Sequence, residues 1–289
     1  MTHAPHSADS HHGVGDPSDG GKDLRVASTA HIPLPYADRI RTVSSANVWG
    51  WLRAGWADMR AAGWRSPAFG ALFVAFGYAL WFGLASFGML YLLTPMIAGF
   101  LLVAPSLAVG FYDMSHRLEQ GRPPGFRSAL FSFRHNTFHI LTAGLVLMLF
   151  MMIWVRIAAL IFAVSFPYIN MSGTALLQSL GSADGIVFLC VGTVIGFCFA
   201  VVAFVLGAIS LPMMLDRRCD IFAGAIVSAQ AVFKSPKAMV LWAALIVGIT
   251  GAGLMTGFLG LIVTLPLIGH ATWHAYRDLV EWDDPPPSS

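Results

Sequence analysis

His270 and His274 stand four residues apart in an apolar run near the C-terminus, a spacing that on a helix offers two ring nitrogens to one metal ion. His135 and His139 repeat the spacing, and Asp113, His116, Asp216 and Asp220 add oxygen or nitrogen donors at other helix ends. The glutamate base of an H-E-x-x-H zinc site is missing, so metal-assisted hydrolysis has no base here. The reading preferred over a metal site is that these side chains sit at the lipid–water boundary, capping helix ends and pairing with Arg217, Arg218 or Arg277. Cys190, Cys198 and Cys219 show neither a disulfide framework nor C-x-x-C spacing. Arg156 is the only base inside an apolar stretch, where a charge costs at least about 2.5 kcal/mol and needs a partner or a polar outlet. Its expected partner is Asp184, with snorkelling to headgroups or anion binding in a central cavity as alternatives.

The elements that must carry these groups are set by composition. Of 289 residues, 56% are hydrophobic and 11% charged, against about 25% charged in a soluble domain. So few charges cannot coat a water-soluble globule of this size, and part of the solvent must be lipid. A net charge of +2 with no basic stripe excludes a nucleic-acid partner. A spanning helix needs about 20 mainly apolar residues. Phe69–Tyr112 is long enough for two such helices joined near Gly88, Phe138–Phe166 for a third and Gly185–Leu215 for a fourth. Ala238–Tyr276 supplies two more, turning near Gly251–Gly257. The expected fold is an all-α integral membrane protein with six transmembrane helices in three hairpins. Sixteen of the seventeen lysines and arginines fall before, after or between these hairpins, which places both termini in the cytoplasm.

Outside the six-helix domain, taken as 67–281, residues 1–43 carry five of the ten histidines among Pro, Ser, Gly and Asp. That composition predicts a disordered cytoplasmic tail without a signal peptide, in which His3, His6, His11 and His12 are solvated. Residues 282–289 read as a second disordered tail. Between the first tail and the first span, 44–66 reads as an interfacial amphipathic helix capped by Ser44 or Ser45. Trp49, Leu52, Trp56 and Met59 form its apolar face, and Pro67 ends it. The same pattern also fits a helix packed on the protein.

Two internal matches suggest a threefold repeat. Trp64-Arg65-Ser66-Pro67 precedes the first span and Phe233-Lys234-Ser235-Pro236 the fifth, while Phe133-Arg134-His135-Asn136 before the third keeps the aromatic and the base. Pro105, Pro212 and Pro266 lie near the ends of the even-numbered spans, each followed eight residues later by a polar group, Asp113, Asp220 or His274. Asp216 and His270 occupy the intermediate step of four, where the first repeat has Val109. Three parallel repeats about an axis along the membrane normal follow from this register. Gly192 and Gly196, with Gly253, Gly257 and Gly260, read as close helix packing.

The run from Leu259 through Leu265-Pro266-Leu267, Gly269-His270-Ala271-Thr272-Trp273-His274 and Arg277-Asp278-Leu279 resembles a bacterial polytopic integral-membrane family catalogued as a domain of unknown function. Trp51-Leu52-Arg53-Ala54-Gly55-Trp56 and the stretch from Ala104-Pro105 to Arg117-Leu118-Glu119 are similar to it as well, and the likeness covers roughly Val48–Glu281. It implies a location in the bacterial inner membrane and brings no catalytic residues. Some relatives carry a label of cytochrome c oxidase subunit I, whose twelve-span core with six intramembrane histidine ligands this chain does not match.

The expected function is a non-enzymatic structural or accessory component of the inner membrane, with the lipid bilayer and either a membrane-protein partner or a second copy as its contacts. No catalytic residue, cofactor or cofactor-binding residue is assigned, and His270, His274, Asp216 and Asp220 are the candidates should a metal bind. Arg156, Asp184 and Asp113 are the other polar positions with functional potential. Two other readings stand beside this one. One is a transporter or lipid-handling protein with its site at the repeat axis, and the other a metal- or haem-binding respiratory accessory protein.

Overall fold

A computed structural model describes residues 36–89, 108–166, 182–217 and 219–282, apart from the side chains of Ala37, His135 and Asp184. Most of the expected second span, with Pro105, and the tail histidines lie outside the described residues, as does Arg218. Among the described residues the protein is all-helical, and one antiparallel bridge joins Ile40 to Val280. The helices are α1 (Ser45–Ala62), α2 (Arg65–Ser86), α3 (Val109–Glu119), α4 (Phe126–Leu130), α5 (Thr137–Ser165), α6 (Ala183–Gly207), α7 (Ser210–Asp216), α8 (Ile221–Lys234), α9 (Pro236–Met255) and α10 (Leu261–Leu279).

Among the described residues, four segments are long and apolar enough to cross a membrane: α2, α5, α6 continued by α7, and α9. The sequence treats Gly185–Leu215 as one helix, but the structure breaks it at Ala208–Ile209. Pro212 explains the break, because it has no N–H to give the carbonyl of residue 208 and its ring presses on that carbonyl. The Ile209 N–H near the break lies 3.4 Å from the Ser228 hydroxyl on α8. α10 differs from the four spans. From Gly269 onward its side chains are mostly buried in protein, with His270, Ala271, Trp273, Ala275 and Tyr276 at most 1% exposed.

α2, α5 and α9 are each preceded by a shorter helical segment: α1 before α2, α4 and the 3-10 turn Ser132–Asn136 before α5, and α8 before α9. The sequence reading has the first of these and misses α8. It also ends the first one too late. α1 stops at Gly63, whose φ of 61° and ψ of −140° suit a residue without Cβ, and Pro67 is the third residue of α2, where a missing N–H costs nothing. The segments pack in a regular order. α8 lies on α6 and α7, α4 lies on α3, and α1, first in the chain, lies on α10, the last. α3, α7 and α10 also touch one another pairwise, so three helix ends converge.

The tail boundary lies earlier than residue 43. The Arg41 N–H donates to the Leu279 carbonyl (2.8 Å) and the Glu281 N–H to that of Arg39 (2.9 Å). Ile40 is 2% exposed and the Tyr36 ring meets Trp282 edge-on. A composition poor in apolar residues hides this, because the pairing is supplied by backbone groups and by one aromatic, Trp282, from the far end of the chain. The core of this end includes Trp51 and Trp242, whose rings cross at 89° with centroids 5.7 Å apart, together with Met213, Met214, Trp273 and Tyr276. α1 reaches α10 closely because Gly55 has no side chain, and a Cβ there would come within 2.6 Å of the Ala271 backbone nitrogen.

Candidate functional site

The polar residues of the converged end form two networks. The first is built on α10. His270 is fully buried, with Nε2 2.8 Å from the Ser66 hydroxyl in the first turn of α2 and Nδ1 2.7 Å from the Ser115 hydroxyl of α3. A neutral imidazole donates from one nitrogen and accepts at the other, so two hydroxyls that can each do either satisfy it completely. One turn on, His274 Nε2 lies 2.8 Å from the Asp58 carboxylate of α1. Burial pushes the Asp58 carboxyl upward, but hydrogen bonds from His274 and Ser115 and the nearby imidazoles outweigh it and hold it below the ordinary carboxylate range. Ser66, His270, Ser115, Asp58 and His274 thus link α2, α10, α3 and α1.

The second network is centred on Asp216, the last residue of α7, whose side chain is 1% exposed. The Tyr276 hydroxyl donates to it at 2.6 Å and itself accepts from the Trp282 indole at 2.9 Å. The Arg277 guanidinium spans from Asp216 (3.7 Å) to Glu119 of α3 (2.9 Å), and the Trp273 indole donates to the other Glu119 oxygen at 3.1 Å. Arg217 and His116 approach the same Asp216 carboxylate at 3.4 and 3.8 Å. Burial lowers the pKa of His116, and the neighbouring carboxylates of Asp216, Glu119 and Asp113 only partly restore it.

The sequence candidates separate into several environments. His270 and His274 share a helix but hydrogen-bond to different partners, His270 to Ser66 and Ser115 and His274 to Asp58. Asp216 joins the second network. Asp220 is elsewhere, as the N-cap of α8 that accepts from the Ala223 N–H at 2.7 Å. Asp113 is buried and paired with Arg117 on its own helix at 3.0 Å. His139 meets the neighbouring Phe138 ring, and the side chain of His135 is outside the described residues. Among the described residues, no three His, Cys, Asp or Glu side chains gather as they would around a metal ion. Burial pushes the Cys219 thiol up to about 12, which leaves it protonated at neutral pH and a poor nucleophile or metal ligand. Arg156 is exposed on α5, about 28 Å along the helix from Thr137. Its expected partner Asp184 has its side chain outside the described residues.

Sequence reasoning missed Asp58, Ser66, Ser115, Glu119 and Tyr276 as network members. Their partners lie between 60 and 216 residues away, and only the Ser-Pro repeat gave a local signal, for Ser66. Chemically, Ser66 and His270 have the spacing of a nucleophile and base. However, Ser66 is fully buried, and the second ring nitrogen meets a hydroxyl rather than a carboxylate. The arrangement is one in which polar groups satisfy one another.

With this geometry in place, the comparisons are short. Residues 92–216 match the family model described as "Predicted integral membrane protein (DUF2189)", a description that names no activity. No curated protein and no solved structure matches the chain. The chain is an integral membrane protein whose likeness to this family spans residues 92–216, a stretch narrower than Val48–Glu281. Ser115, His116, Glu119 and Asp216 lie within the matched stretch, while Asp58, Ser66, His270 and Arg277 lie outside it.

Proposed function

We propose that the protein is a non-enzymatic structural or accessory component of the bacterial inner membrane, acting through helix contacts with a membrane-protein partner or a second copy of itself. In this reading the chain forms six spans in three hairpins, with the second span within 90–107 and its flanks, α10 as the sixth, and both termini cytoplasmic. The positive charge at the hairpin junctions supports the orientation. The pairwise contact of α3, α7 and α10 supports a common axis for the three hairpins.

One observation carries the functional reading. None of the most apolar 18 residues of α5, nor of the corresponding window in α6, is buried within the chain. Those two helices pack on each other through Phe150, Trp154 and Phe199, and the remaining apolar faces, including Leu145, Met152, Val194 and Phe197, are exposed. At the other end, His270, His274, Asp113, Asp216 and Asp220 are each occupied by protein partners, which argues against their forming a polar set for a substrate. Lipid can cover an apolar helix face. Helix faces left uncovered in this way are also suited to receive another helix by close packing.

The test is purification of the full chain from native membranes in mild detergent, followed by native mass spectrometry. A stoichiometric second protein or a defined homo-oligomer is the expected result. A monomer with no co-purifying protein, together with a substrate-dependent thermal shift, would overturn the reading in favour of transport.

A further inference from the structure

α1 presents one face to the protein and another to its surroundings. Val48, Trp51, Gly55, Met59 and Ala62 are buried against the bundle, so the apolar stripe read from the sequence is corrected: Met59 and the half-buried Leu52 turn inward, and the two tryptophans do not. The outward stripe is Trp49, Arg53, Trp56, Arg60 and, past the turn, Trp64, with the three indoles 52%, 45% and 68% exposed. Indole and guanidinium alternate at helical spacing. The single acid of α1, Asp58, points inward to His274, so the stripe carries positive charge with no internal neutralisation.

The height of α1 follows from its two ends. Just before it, the Val43 N–H donates to the Ser235 hydroxyl at 3.0 Å and Lys234 Nζ donates to the Ile40 carbonyl, and both partners stand where α9 begins. Just after it, Ser66 stands where α2 begins. Both α2 and α9 are span-length apolar helices. A helix of about 27 Å tied to two span starts runs along the membrane surface. The span starts are marked independently by exposed aromatics beside bases, Trp64 with Arg65 and Phe233 with Lys234.

We propose that the outward stripe Trp49–Arg53–Trp56–Arg60–Trp64 is a docking surface for anionic phospholipid headgroups. The indoles settle at the headgroup boundary and the two guanidiniums take phosphate oxygens. This rests on the membrane-embedded reading above and adds the charge class of the lipid. Two such bases on an anionic surface together strengthen lipid retention about thirtyfold.

The experiment uses the full chain in nanodiscs of phosphatidylcholine, with and without phosphatidylglycerol, and reads hydrogen exchange in α1 together with lipid retained in native mass spectrometry. Phosphatidylglycerol is expected to slow exchange in α1 and to be retained over phosphatidylcholine. The R53Q/R60Q variant loses both effects, and R53K/R60K keeps most of the retention. Equal exchange in the two nanodiscs, or an unchanged response in R53Q/R60Q, overturns the proposal. Extraction of native membranes with alkaline carbonate separates the two readings. Release of the chain would overturn the membrane-embedded reading itself, whereas retention without lipid preference overturns only this inference.

Discussion

Where α3, α7 and α10 meet, side chains as polar as Asp113, Asp216 and His270 are nearly inaccessible, and carboxylates, hydroxyls and indoles are tied across helices at 2.6–3.1 Å. In the α5–α6 pair the situation is reversed: the residues are apolar, the exposed surface is extensive, and the ties are aromatic contacts between the two helices and the packing of α8 on α6. Both regions come from one chain of low charge, yet they depend on different solvents. In the first, protein takes the place of water around polar groups, which makes unique partners necessary. In the second, lipid is a good solvent for the side chains, and neighbours become a matter of shape. The first region therefore ties the helices to one another through polar groups, and the second leaves much of its apolar surface uncovered by the chain.

The largest effect expected from this contrast is at glycine. Gly55→Leu puts a side chain into the backbone of Ala271 and should separate α1 from α10, at about 3 kcal/mol or with loss of the folded protein. Gly192→Leu on α6 meets nothing within 4 Å and should stay within about 0.5 kcal/mol. Thermal melting of both variants in detergent measures the difference, and equal damage would break the comparison. Next in size is Asp216→Ala, which leaves the Tyr276 hydroxyl and the Arg277 guanidinium without their buried acceptor, at about 3 kcal/mol. The matching change at Asp220 removes only an N-cap and should cost about 1 kcal/mol.

The sequence distinguishes these regions unevenly. Apolar length alone locates α2, α5, α9 and the combined stretch of α6 and α7 within a few residues, because a bilayer demands uninterrupted hydrocarbon and the signal is local. Pro212 was visible as a repeat marker, but the break it causes depends on where the helix then finds support, which is Ser228 on α8. The distinct roles of Asp216 and Asp220 could not be told apart from spacing. Both lie on a step of four from Pro212, yet the helix ends between them and turns one into a buried acceptor and the other into a cap. His270 and His274 looked like a ligand pair because i and i+4 share a face. Ser66, Ser115 and Asp58, which occupy them, come from three helices, and no periodicity carries that information.

Acidity should weaken the polar end and spare the apolar pair. The pKa of His116 is lowered in the folded protein, so the unfolded chain binds its proton more readily, and stability declines as pH falls below the ordinary histidine value near 6.5. Asp58 is also lowered, so its contribution is complete above about 3.9 and disappears as pH falls through the folded value. Melting temperature in detergent should therefore decrease from pH 7 to pH 5, with a shallower slope in His116→Gln. An identical slope in that variant would assign the acid sensitivity to another group.

The smallest effect on stability is expected in the α5–α6 pair, where it separates the two regions most sharply. Phe197→Ala removes a ring that is 68% exposed, so the isolated chain has little packing to lose and its melting should change by no more than about 0.5 kcal/mol. In the native membrane the same ring faces either lipid, which accommodates the change, or a partner helix, which does not. Loss of the co-purifying protein or of the oligomer, with melting unchanged, would show that the exposed face is a contact surface. If association and melting are both unaffected, that face meets only lipid, and the contact surface must be sought along Leu145 and Met152 of α5.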